Sequence, residues 1–205
     1  MLDVESLSPI PYRIVYLVRH GQYEATLAAP DPGDGPLTDL GRDQAHHVGR
    51  LLSGYEMSVI HHSTLIRATE TAQIIAGYLP DAELRASPLL KECLPSVAPA
   101  ALSLLGATAT PDHLRRSDRQ ARQVFRQWFQ PPAADAGETA REIIISSGNL
   151  ISYLVCRLIG ASGKQWIHTT IQHCGISEIV LGGGRERLLL RHNDTGHLPR
   201  EMQTI

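Results

Sequence analysis

The chain has 205 residues, 42% of them hydrophobic, and a formal net charge of −2. That length fits one ordinary domain with a proper core, and so small a charge gives no bulk attraction to nucleic acid or to an anionic membrane. Cys93, Cys156 and Cys174 lie far apart with no C-x-x-C; an odd count does not make a disulfide framework, and a reducing compartment is the simple reading.

Met1 to Pro11 carries two acids, two prolines and no apolar run, so neither a secretory signal nor a membrane anchor is expected there. No stretch approaches the length of a spanning helix, and the expected location is cytoplasmic. Arg13 to Val18 is a β-branched and aromatic run that reads as a buried strand. Thr38 opens a helix, with Asp39 in its first turn and Leu40, Ala45, Val48, Leu51 and Leu52 at helical spacing. Met57 to His61 reads as a second strand, followed by a helix from about Thr64 to Leu79 that Pro80 ends. Arg141 to Ser146, with Ile143-Ile144-Ile145, reads as a third buried strand, and Asn149 to Ile159 as a helix stopped at Gly160. Ile176 to Leu181, the glycines 182 to 184, and Arg187 to Arg191 read as a hairpin. Strands alternating with helices predict a three-layer α/β/α sandwich with a mainly parallel sheet.

The segment at about 93–137 is less regular, with prolines 95, 99, 111, 131 and 132 around one expected helix, Asp112 to Phe129. It is too short for a core of its own, so it reads as an insertion beside a ligand cleft in a single domain spanning 1–205.

The chemistry concentrates at strand ends. In open α/β sheets ligands sit beyond the carboxyl ends of the strands, and the first strand runs directly into Arg19-His20-Gly21-Gln22. A guanidinium binds phosphate in bidentate fashion, an imidazole can accept a phosphoryl group, and Gly21 lets backbone approach an anion closely. Arg67 falls in the first turn of the helix after the second strand, where the helix N-terminus already favours anions. Each signal alone is weak: a strand-end histidine and a solvated helix arginine are the bland readings.

Together the runs Leu17-Val18-Arg19-His20-Gly21-Gln22-Tyr23, Leu37-Thr38-Asp39-Leu40-Gly41-Arg42-Asp43-Gln44-Ala45, Ser63-Thr64-Leu65-Ile66-Arg67-Ala68-Thr69-Glu70-Thr71, Leu89-Leu90-Lys91-Glu92 and Asn193-Asp194-Thr195-Gly196 resemble the histidine phosphatase superfamily in its phosphoglycerate-mutase-like branch. Within that branch the likeness is nearest the mitochondrial phosphoglycerate-mutase-like protein phosphatases, whose membrane anchor has no counterpart in these residues. The resemblance implies a phosphomonoesterase with His20 phosphorylated during turnover. It implies that Arg19 and Arg67 hold the phosphoryl oxygens and that Glu92 protonates the leaving group. No cofactor or metal is implied. The substrate would be a phosphorylated small molecule or a phosphoprotein, and a homo-oligomer is compatible with the pattern. One position departs. The family's Ser-His-Gly-Asn-type run reads Ser146-Ser147-Gly148-Asn149 here, so Ser147 stands where a second histidine is expected. A hydroxyl can donate one hydrogen bond but carries no charge. A weakened phosphatase, an anion-binding pseudoenzyme or regulatory protein, and the same pocket repurposed for other chemistry on an anionic metabolite all stay open.

Two further histidines, His173 before Cys174-Gly175 and His197 in the turn-rich tail, could reach the pocket. The adjacent pairs His46-His47 and His61-His62 point in different directions and do not suit one metal ion. Arg115, Arg119, Arg122 and Arg126 form a stripe on the insertion helix that reads first as a solvated face.

Overall fold

The computed structural model describes residues 11–31, 33–95, 97, 102, 109–133, 136–183 and 186–205. Its regular elements are β1 (Arg13–Arg19), α1 (Asp39–Leu52), β2 (Val59–Ser63), α2 (Ile66–Ala76), β3 (Glu83–Ser87), α3 (Pro111–Trp128), β4 (Ala140–Ser146), α4 (Gly148–Leu158), β5 (Ile176–Leu181) and β6 (Arg187–Asp194), with short 3₁₀ turns at Pro88–Leu90, Gly163–His168 and Arg200–Met202. One sheet carries all six strands in the order β3-β2-β4-β1-β5-β6. The β3–β2, β2–β4 and β4–β1 pairs are parallel; β1–β5 and β5–β6 are antiparallel.

Strand periodicity divides the core between the two faces. Ile14, Tyr16 and Val18 of β1 pack with Ala45, Val48 and Leu52 of α1 and Ala68, Ala72 and Ile75 of α2. Val15 and Leu17 pack on the other face, with Ala121, Val124 and Trp128 of α3 and Leu150, Tyr153 and Leu154 of α4. A strand covered on both faces needs apolar side chains at every position, which is why β1 and β4 read as continuous hydrophobic runs. The fold is the expected three-layer α/β/α sandwich, and the hairpin at β5–β6 is as anticipated.

Several features differ from the expectation; β2, for one, runs Val59–Ser63 rather than Met57 to His61. Strand β3 went unread because four of its five residues are exposed and an edge strand of Glu-Leu-Arg-Ala-Ser carries no apolar pattern. Helix α2 begins at Ile66 and ends at Ala76, shorter than Thr64 to Leu79, because Leu65 is held extended by its N–H bond to Ser63 Oγ and the chain turns at Gly77. Strand β6 runs on to Asp194. Parts of the 93–137 segment, including Pro99, and Gly184 lie outside the described residues.

Register builds the cleft. The β1–β4 pair aligns Arg19 with Ser146, so His20 and Ser147 leave the sheet side by side. The β1–β5 pair aligns Val18 with Ile176, which brings His173 to the same edge: Arg19 N–H donates to Gly175 O at 3.2 Å and Cys174 N–H to Arg19 O at 3.1 Å. Helices α1 and α4, following adjacent strands, depart to opposite faces. That divergence opens a crevice at the carboxyl ends of β1 and β4, the usual ligand position in such sheets.

Candidate active site

His20 is the centre of the crevice, 2% exposed. Its Nδ1–H donates to Gly21 O at 2.8 Å, and that bond assigns the tautomer: Nε2 keeps its lone pair and accepts from Arg67 Nε at 2.9 Å. Burial, reinforced by the Arg67 and Arg19 charges, holds the His20 pKa well below the usual imidazole value, so the ring is neutral at physiological pH and Nε2 is a free-base nitrogen facing the cleft.

Gly21 and Gln22 are fixed by α1. A Cβ on Gly21 would lie 2.5 Å from Gly41 O, and one on Gly41 would lie 1.9 Å from Gln22 O, so two glycines permit the backbones to touch. Gln22 N–H donates to Gln44 Oε1 at 2.8 Å, and Gln22 Oε1 accepts from Thr38 Oγ1 at 2.9 Å. The Gln22 side chain is therefore engaged with the α1 cap rather than turned to a ligand. Thr71 on α2 accepts from Gly21 N–H and donates to Arg67 O, tying the segment to α2 as well.

Arg67 is buried at the start of α2, its Nη1 donating to Asp34 Oδ1 at 2.7 Å and its guanidinium carbon 4.4 Å from the centre of the Tyr23 ring. Tyr23 also meets His20 edge-on at 5.2 Å. Arg19 donates from Nη1 to Ile171 O and from Nη2 to His173 Nε2; its Nε is buried without a hydrogen-bond partner. The α4 N-terminus abuts it, since a Cβ on Gly148 would lie 3.6 Å from that Nε. Ser147, the fully buried N-cap of α4, has an Oγ that is likewise unpartnered and caps nothing. Two orphaned buried donors at a helix N-terminus mark a place built to receive an oxyanion.

Glu92 follows the 3₁₀ turn at Pro88–Leu90, which Ser146 Oγ and Gln120 Nε2 pin through the carbonyls of Leu90, Leu89 and Lys91. Glu92 is partly buried, and desolvation raises its pKa over the opposing pull of Arg67 and Arg19. His173 stands 5.7 Å from His20 between ring centres, with Nδ1 bonded to Thr204 Oγ1 and Nε2 accepting from Arg19. Burial first and Arg19 second push its pKa down to about 3. His173 thus lies beside His20 and Arg19 in its neutral form. His197 packs beside Cys174 and answers to Asp194 and His47, with no described tie to His20 or either arginine.

The fold therefore gathers Arg19, His20, Gly21, Arg67, Glu92, Ser147 and His173 at one sheet edge. Asp34 and Tyr23 are neighbours that the sequence reading missed. A sequence profile of the histidine phosphatase superfamily (branch 1) matches residues 15–98. The serine/threonine-protein phosphatase PGAM5, mitochondrial, of Xenopus laevis is 30% identical over 203 residues, covering 98% of this chain and 72% of that protein. The chain belongs to the histidine phosphatase superfamily.

The human protein of that name is 31% identical over 196 residues, covering 94% of this chain and 66% of its own. A phosphoglycerate mutase from Plasmodium falciparum shares the fold with a TM-score of 0.63 and 27% identity, over 93% of this chain and 96% of that one. The alpha-ribazole phosphatase from Shigella flexneri superposes with a TM-score of 0.69 at 19% identity, over 88% of this chain and 96% of that one. The superfamily and its phosphatase relatives support a phosphomonoesterase-class enzyme. They also correct one expectation: the PGAM5 relatives are named mitochondrial, which overturns the cytoplasmic reading drawn from the N-terminal composition. An apolar count over eleven residues detects an anchor or secretory signal and is blind to other addresses.

Proposed function

We propose that this chain, as a single domain of residues 1–205 with an insertion at about 93–137, is a phosphomonoester hydrolase that works through a phosphohistidine on His20 and is slowed at Ser147. The observation that carries the reading is the pairing of a neutral His20 Nε2 with orphaned buried donors, Arg19 Nε and Ser147 Oγ, at the α4 N-terminus. A phosphoryl group seated against Arg19, Arg67 and the α4 backbone draws the Arg67 N–H away from Nε2 and frees its lone pair. Nε2 then forms the N–P bond as the P–O ester bond breaks, and the leaving oxygen takes the Glu92 proton. Water attacks phosphorus in the second half, the N–P bond breaks, and Glu92 recovers a proton from that water. The Gly21 carbonyl holds Nδ1–H throughout and stabilises the charge that develops on the ring. The substrate is a phosphorylated small molecule or a phosphoprotein.

Ser147 sets the rate. The family's second histidine would aim a cation at the transferring group; serine offers one neutral donor, and His173, bonded to Arg19, is held neutral. Losing an oriented donor to developing charge costs about 10²–10³ in rate. The parent protein is expected to release phosphate slowly from an aryl phosphate, and Ser147→His to gain on the order of 10²-fold, with His20→Ala as the blank. The same orphaned Ser147 Oγ supports a second reading, an anion-binding protein without turnover. A Ser147→His variant that binds vanadate normally yet gains no activity favours that reading.

A further inference from the structure

Asp34 belongs to neither of the phosphate-binding motifs, yet it is 3% exposed and holds the first two residues of α2. Its Oδ1 accepts from Arg67 Nη1 and its Oδ2 from Ile66 N–H, each at 2.7 Å. Arg67 Nε is taken by His20 Nε2, so Nη2 alone among the guanidinium nitrogens has no protein hydrogen bond among the described residues. Tyr23 covers one face of the plane at 4.4 Å. When a phosphoryl group takes the Nε–H from His20, the Asp34 bond at Nη1 and the Tyr23 face are the holds that keep the plane. The backbone that carries Asp34 is itself fixed: Thr26 N–H donates to Asp34 O at 2.8 Å, Asp34 N–H to Asp31 O at 3.0 Å, and Gly33 supplies the turn with φ +85°.

We propose that Asp34 is a positioning residue of this site, its carboxylate holding the Arg67 guanidinium in the plane that meets the phosphoryl group in transfer from substrate to His20. A buried ion pair is retained at a cost in desolvation unless further hydrogen bonds satisfy both partners, and here Ile66 N–H and His20 Nε2 do so. A carboxylate facing an anion pocket opposes ground-state binding by its charge, so what it contributes is orientation, which counts in the transition state.

The role rests on the phosphatase reading, and substitutions that keep the helix cap separate the two. Asp34→Asn keeps an oxygen for Ile66 N–H but turns an amide N–H toward Nη1. Asp34→Ser keeps a capping hydroxyl and cannot reach the guanidinium. With an aryl phosphate as substrate, both variants should lose roughly tenfold or more in kcat, the scale of a lost charge-assisted hydrogen bond. Inorganic phosphate should inhibit both at least as strongly as the parent, because negative charge has left the pocket wall. Equal kcat in parent and variants overturns the role. Parallel loss of kcat and phosphate affinity, tracking the folded fraction by circular dichroism, reduces Asp34 to a helix cap and also overturns it. A parent that releases no phosphate above the His20→Ala blank overturns the phosphatase reading itself, and this role with it.

Discussion

The same burial drives the Glu92 carboxyl and the His20 imidazole toward their neutral forms, which raises one pKa and lowers the other. The separation defines where the site works. Under the proposed mechanism His20 is competent above its lowered pKa and Glu92 can donate below its raised one, so kcat/KM should hold across a broad plateau and fall at its alkaline edge as Glu92 ionises. That alkaline fall should appear with alkyl phosphates and not with activated aryl phosphates, whose leaving groups depart without a proton. Glu92→Gln should likewise slow alkyl phosphates at least tenfold more than aryl ones; equal losses in a leaving-group series remove Glu92 from the donor role. At this scale the sequence was informative where a motif carries its own chemistry. Arg19-His20-Gly21 and Arg67 could be read as anion-binding because a strand end and a helix start deliver them to one edge; Glu92 came only with the resemblance to the superfamily. Asp34 could not be named. It sits in Pro-Asp-Pro-Gly-Asp-Gly, which reads as an ordinary turn, and its partner lies 33 residues away.

At the scale of elements, the contact between the His20-Gly21-Gln22 segment and α1 has the least tolerance. Gly41 lies in regular helix, so its lack of a Cβ matters for space and not for backbone angle. An alanine there would place a methyl carbon 1.9 Å from the Gln22 carbonyl oxygen, and backbone cannot rotate aside as a side chain can. Gly41→Ala should therefore cost about 3 kcal/mol, which at this chain length lowers Tm by roughly 6–12 °C, and activity should fall in the surviving folded fraction because Gln22 is two residues from His20. Calorimetry beside kcat measured well below Tm checks both halves. An unchanged Tm would mean that the segment yields freely. The elements themselves were legible where burial forces a pattern. Both core faces of β1 and β4 demand apolar side chains, and Thr38 announces α1 by capping Gly41 N–H. Strand β3 left no pattern because its side chains face solvent and only its backbone pairs, with β2. The ends of α2 shifted because Ser63 Oγ holds Leu65 outside the helix, a bond that periodicity does not encode.

Across the whole molecule the site occupies one end of the sheet, and a second buried polar cluster holds the other. Glu142 in β4 takes Arg13 Nε and Nη2 at 2.8 Å each, while Arg13 Nη1 donates to Gln130 O just beyond α3. This fork joins β1, β4 and the end of α3 where no apolar contact could do so with the same geometry. His61 lies 3.9 Å from the same carboxylate, but burial lowers its pKa despite Glu142, so it adds little charge. Glu142→Ala would strand a largely enclosed guanidinium with one remaining hydrogen bond. A fully buried pair broken in this way costs 3–5 kcal/mol. The side chains of Arg13 and Glu142 remain 17% and 11% exposed, and solvent screening brings the expectation to about 2–3 kcal/mol. His20, the proposed nucleophile, stands seven residues along the chain from Arg13, about 23 Å at the rise of a strand, with an apolar core between. The urea midpoint should therefore fall while kcat in the folded protein stays within twofold of the parent. A large loss of kcat at full folding would mean that the two ends of the sheet are mechanically coupled, and the separation of scaffold from site drawn here would have to be abandoned.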